Sequence, residues 1–175
     1  MRPVATVRLP TYPVSMAEND FAHPPADAFD RFAEQLGRMT EEGGLPRNAG
    51  RIFGLLLLSG EPLSFGLIAK KLEASRGGVS DNTRLLQKMG LIERHVRSGD
   101  RQDYFVVPKD VWQRQLKRQL HRDEDALKQV ETLLSSTGEL PAEAFKRLSN
   151  LAWMLRRSTS HCTEAIAMLD NEEGC

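Results

Sequence analysis

Residues 63–101 read LSFGLIAKKLEASRGGVSDNTRLLQKMGLIERHVRSGDR, and the punctuation of this stretch decides the fold. Ser64 stands just before an apolar set, Phe65, Ile68, Ala69 and Leu72, spaced for one face of a short helix. A serine there can cap the helix, because its hydroxyl oxygen accepts a backbone N–H that the first turn leaves unpaired. Ser75 repeats the signal where that helix should end. Val79, Thr83, Leu86 and Met89 follow at steps of four, three and three, and Gly90 supplies a stop. Residues 91–96 and 104–107 are short strand-like runs around the turn cluster Ser98-Gly99-Asp100, and Pro108 ends the second. Two short helices across a tight turn, then a hairpin with arginines at its tip, make a helix-turn-helix followed by a wing.

With Val79, Thr83, Leu86 and Met89 assigned to the core, the outer side of the second helix keeps Arg76, Gly77, Gly78, Ser80, Asp81, Asn82 and Arg84. Small residues let the backbone come close to a partner, and Ser, Asn and Arg donate to phosphates or base edges. That is the composition of a recognition helix entering a major groove. Ser64, Ser75, Arg76, Gly77, Ser80, Asn82, Arg84, Arg97 and Arg101 are therefore the candidate DNA-binding residues. Asn82 is expected to read a base edge and Arg97 to touch phosphate. Between Ser75 and Arg101, six basic residues face three acidic ones, which leaves the segment three positive charges in excess.

On these residues the chain resembles the GbsR branch of the MarR-type winged-helix transcription regulators. The matching pieces are Pro46, Ala49-Gly50-Arg51-Ile52, Leu63-Ser64, Ile68-Ala69, Ser75-Arg76-Gly77, Val79-Ser80, Asn82, Arg84-Leu85-Leu86, Gly90-Leu91 and Gly99-Asp100-Arg101 with Tyr104, within residues 29–107. The resemblance implies a dimeric DNA-binding regulator, often a repressor, with some relatives answering to small molecules such as choline.

The rest of the chain frames that unit. The fold class expected is mainly α, a winged helix-turn-helix domain with dimerisation helices at both ends. Residues 1–25 hold five prolines and read as a flexible arm, residues 26–107 as the DNA-binding domain with its N-terminal helix, and residues 108–175 as a helical dimerisation region. A helix is expected over residues 27–42 and another over 47–58. In the latter, Arg47 and Arg51 lie one turn apart, set for phosphate, with pairing of Arg51 to a backbone carbonyl or a distant acid as the alternative. Residues 108–136 read as one long helix with a charged break at His121-Arg122-Asp123-Glu124-Asp125. From Pro141, the set Phe145, Leu148, Ala152, Leu155, Thr159, Cys162, Ile166 and Leu169 alternates steps of three and four. Such a seam is expected to pack on a second copy of the chain, with packing on the preceding helix as the alternative. A two-fold dimer would meet a pseudo-palindromic duplex, its half-sites about 34 Å apart or a multiple of that.

Other chemistries find little purchase. Formal net charge is zero, so positive potential is local rather than a coat. His23, His95, His121 and His161 share no triad or metal-ligand spacing with carboxylates, and no phosphate-binding glycine loop occurs, so neither an enzyme nor a metal or cofactor is expected. Cys162 and Cys175 form no zinc motif or disulfide framework, which suits a reducing cytoplasm, and no apolar run reaches membrane-span length. Tyr104, Trp112 and Trp153, with Met154, are the candidates to line a small-molecule effector cavity, with plain core packing as the alternative. The competing function is a winged helix that docks a protein rather than DNA.

Overall fold

The computed structural model describes residues 26–136 and 140–172, so the expected N-terminal arm lies outside the described residues. Six helices and three short strands follow in order. They are α1 (Ala26–Glu42), α2 (Arg47–Ser59), β1 (Leu63–Ser64), α3 (Phe65–Lys71), α4 (Arg76–Lys88), β2 (Glu93–Val96), β3 (Asp103–Val106), α5 (Val111–Ser135) and α6 (Ala142–Glu172). The sheet is antiparallel in the order β1-β3-β2, with Leu63 opposite Phe105 and Arg94 also opposite Phe105 from the other side. The two-residue strand β1 has no signal in the sequence. It exists because the chain entering α3 runs beside β3.

Both serine caps form as the sequence implies. Ser64 Oγ accepts from Leu67 N at 3.2 Å, and Ser75 Oγ from Gly78 N at 3.1 Å. Gly60, Gly90 and Gly99 take positive φ, two of them just after helices and one at the wing tip. Glu73 does the same at φ 49 without the freedom of glycine, as the residue past α3 where Ala74 N returns to Ala69 O at 3.0 Å. Glu73→Gly is accordingly expected to raise stability by about 0.5–1 kcal/mol, because the left-handed conformation costs a side chain that much. A thermal melt shows it, and a lower midpoint would refute it.

One apolar core serves the reading unit: Ala33, Ile52, Phe53, Leu56, Ile68, Leu72, Val79, Leu86, Ile92 and Phe105 are buried together. Helices α1 and α2 meet through glycine. A Cβ on Gly50 would stand 2.6 Å from the Leu36 carbonyl oxygen and 2.8 Å from Gly37 Cα.

Helices α5 and α6 contribute nothing to that cluster and form their own hairpin. The middle of the expected seam, Ala152, Leu155 and Cys162, is buried within the chain, in the hairpin that α6 makes with α5. The preferred expectation of a seam against a second copy is thus corrected: α5 is close enough to take it. The charged break also does not occur. Helix α5 runs through it, and Asp123 is buried, accepting from Ser158 Oγ of α6 at 2.5 Å and from Gln119 Nε2 at 2.7 Å. Those hydrogen bonds, Ser158 first, hold its carboxyl below the usual carboxylate range against the opposing effect of burial.

Candidate nucleic-acid interface

The solvent side of α4 follows from its inner side. Val79, Thr83 and Leu86 anchor the helix, and Thr83 Oγ1 donates back to Val79 O at 2.8 Å, so its hydroxyl is satisfied inside. Exposed Arg76 flanks that side, and exposed Gly77, half-buried Ser80, and exposed Asp81 and Arg84 stand away from it. Arg84 is steered along the helix surface: its Nη2 donates to Ser80 Oγ at 2.8 Å, and its Nη1 lies 3.6 Å from Asp81. Exposed pairs of this kind add little stability, but they bias where the guanidinium points. Gly77 has open space where a Cβ would go, so the start of α4 presents bare backbone. Arg76 packs its guanidinium 5.8 Å from the centre of the Phe65 ring.

Asn82 does not join this face. It is 8% exposed, and its Nδ2 donates to Gly78 O at 2.7 Å. The expectation that it reads a base edge is corrected by helix geometry. Asn82 lies about 60° around the helix from Val79, on the flank of the buried stripe. One amide N–H is used one turn back, on Gly78 O.

The wing is braced from inside. The Tyr104 hydroxyl donates to Asp100 at 2.7 Å, Gln102 N donates to the other oxygen of that carboxylate at 2.9 Å, and Arg97 lies 4.2 Å over the Tyr104 ring. Tyr104 first, then the Gln102 amide, hold the Asp100 carboxyl below its usual range, while Tyr104 itself is raised by the same hydrogen bond. A carboxylate lowered in this way supports the turn above the ordinary carboxylate range and releases it as pH falls through the folded value. Stacking leaves the charge and outer N–H groups of Arg97 available. Arg101 is exposed, with no carboxylate in ion-pair range among the described residues, whereas Arg94 is spent on Asp103 at 2.6 Å.

Other sequence candidates fall elsewhere. Ser64 and Ser75 use their oxygens as caps, which leaves their hydroxyl hydrogens to donate outward. Arg47 and Arg51 both close on Glu34 of α1, at 2.7 Å for Arg47, so the distant-acid reading holds and they tie α1 to α2. The three aromatic residues expected around an effector hold separate posts. Tyr104 braces the wing, Trp112 meets Phe53 edge-on at 6.2 Å, and Trp153 is exposed on α6. None lines either of two cavities in the chain, one of about 380 Å³ beside Lys128, Thr132 and Leu133, the other of about 200 Å³ among Asp30, Glu34, Arg51, Lys71 and Glu73. Among the described residues no cluster of His, Cys, Asp and Glu could hold a metal, and no helix is long and apolar enough to cross a membrane.

Sequence reasoning missed two residues altogether. Gln115 Nε2 donates to Met89 O at 2.9 Å and to Gly90 O at 3.2 Å, and Arg118 Nη1 donates to Met89 O at 2.6 Å. Both reach from α5 to the end of α4. No local pattern marks them, since their partners lie 25 to 29 residues away.

Comparison with known proteins places this geometry among regulators. No family model matches the chain. An HTH-type transcriptional regulator from Mycobacterium tuberculosis, MmpR5, is 29% identical over 144 residues, which is 82% of this chain and 87% of that protein. A crystal structure of a transcriptional regulator has a TM-score of 0.68 to this fold at 28% identity, covering 82% of this chain and 99% of the other. The winged helix-turn-helix architecture is therefore shared along most of the chain.

Proposed function

We propose that the chain is a DNA-binding transcriptional regulator of the MarR type, in its GbsR branch, acting as a cytoplasmic homodimer that represses from a pseudo-palindromic duplex. The observation that carries this reading is the solvent side of α4. Gly77, Ser80 and Arg84 face outward from a helix whose other side is packed, beside a wing bearing Arg97 and Arg101. Helix α4 would enter the major groove by its N-terminal half, and the wing would lie along the flanking phosphates. The regulator relatives support the same reading.

With Asn82 turned inward, base discrimination falls to Arg84. A guanidinium can donate both hydrogen bonds that guanine O6 and N7 accept, and Ser80 already orients it. Arg101, with no carboxylate in ion-pair range among the described residues, suits a phosphate. Arg84→Ala is expected to narrow the gap between cognate and random duplex by about 1–3 kcal/mol. Arg101→Ala should weaken both equally and reduce the salt slope of binding by about 1. Duplex titrations at several salt concentrations check both results. An unvarying, salt-insensitive affinity for a protein, with no duplex shifted, would make the winged helix a protein-docking module instead.

A further inference from the structure

The two helices past the wing touch the reading unit at few points, and three of their side chains reach β2 and the end of α4. Arg114 of α5 pairs with Glu93 of β2 while also holding Asp110 at 2.7 Å. Gln115 and Arg118 grip the carbonyls of Met89 and Gly90 at the end of α4. Other ties include buried Val111 and the edge contact of Trp112 with Phe53. The core of the reading unit takes no residue from α5 or α6, so these side chains carry much of the orientation between the two parts.

The chemistry of the grip favours a defined angle. The last carbonyls of a helix have no partner within it and carry the negative end of its dipole, so a cationic donor is held there more firmly than on an ordinary surface. Gly90 is built around the contact. Its φ is +68, and a Cβ would stand 2.6 Å from Arg118 Cζ, so the glycine both ends α4 and clears room for the guanidinium.

We propose that Gln115 and Arg118, with Arg114 on β2, form a strut that fixes the angle of α4 relative to α5 and α6, and so sets the half-site spacing that the dimer accepts. They are positioning residues: none needs to touch DNA. The proposal rests on the reading of the chain as a dimeric DNA-binding regulator. If α5 and α6 hold the two copies together, any pivot of the reading unit on α5 is doubled by the two-fold axis. A shift of about 3.4 Å at α4 is one base-pair step.

The test is selection of bound duplexes from a random pool with the full chain and with Gln115→Ala/Arg118→Ala. Wild type is expected to select one half-site sequence at one spacing. The double variant should select the same half-site sequence over two or more spacings, lose about tenfold affinity for the wild-type spacing, and bind an isolated half-site as before. Arg118→Lys, which keeps a charged donor near Met89 O, should largely restore the single spacing. A double variant that keeps one spacing would overturn the strut, and so would one that loses half-site preference, since the residues would then merely hold α4 folded. If the double variant does not fold, the single variants decide, because each leaves Met89 O one donor; unchanged spacing in both would refute the proposal. Wild type selecting no two-fold site would remove the regulator reading itself and the strut with it, a result distinct from the other two.

Discussion

Trp153→Glu combined with Met154→Glu is expected to yield a folded monomer whose affinity for a duplex with two half-sites is down about 100-fold or more. In the single chain Trp153 is 67% exposed, Met154 55% and Met168 59%, all turned away from the side of α6 that buries Ala152, Leu155 and Cys162. Apolar side chains of this size gathered on one helix face mark a surface that another protein covers. Fully burying one such side chain is worth about 1.5–3 kcal/mol, and a two-fold interface loses the contribution twice. With two positions substituted and each counted twice, a deficit of about 6–12 kcal/mol weakens association by about four powers of ten or more. Monomers would still meet single half-sites, so the loss should fall on the two-site duplex. Substitution at such exposed positions leaves the fold within about 0.5 kcal/mol. Light scattering behind a sizing column, with duplex titrations alongside, reads both effects. A dimer that survives the two glutamates would place the interface elsewhere.

Gly50→Val should cost about 3 kcal/mol or more, which for a chain of this length lowers the melting midpoint by about 6–12 °C. The added carbons would meet Thr40 Oγ1 and, at 2.6 Å, the Leu36 carbonyl oxygen. The carbonyl is backbone, so α1 as a whole must back away from α2. Thr40 cannot simply rotate clear without giving up its hydroxyl bonds to Leu36 O and Gly37 O at 3.0 and 2.9 Å. Gly77→Ala is the control. It sits in a helix too, but nothing lies within 4 Å of the new carbon, so stability should hold. Equal melting midpoints for Gly50→Val and wild type would mean that α1 and α2 are not locked by this contact.

The errors of sequence reading share one form. Asn82 is polar and so expected outward; it and Arg76 lie equally far around the helix from Val79, and only the packing decides that Asn82 is buried and Arg76 exposed. The regular seam of α6 was legible as a packing face, but periodicity says only that something covers it. The structure uses its middle for α5, while Trp153, Met154 and Met168 on the other side of α6 stay exposed. Tyr104, an aromatic on a strand, looked available for a ligand. It braces the wing because Asp100 is four residues away across the turn.

What the sequence determined by itself is the series of helices, the wing hairpin and most of the side chains that α4 turns to solvent. Caps at Ser64 and Ser75, the stop at Gly90, and the apolar spacing within α3 and α4 all depend on residues one to four positions apart. Over that range the chain's own geometry links neighbours whatever the rest of the fold does. Only the tertiary structure decided which arginines pair with a distant acid and which side chains reach the end of α4. Glu34 takes Arg47 and Arg51 from 13 and 17 residues away, Asp103 takes Arg94, and Gln115 and Arg118 arrive at the end of α4 from a helix that begins beyond the wing. A charge in a sequence carries no record of its partner. Whether it stays free depends on which distant acid or carbonyl the packing of the core brings within about 3 Å.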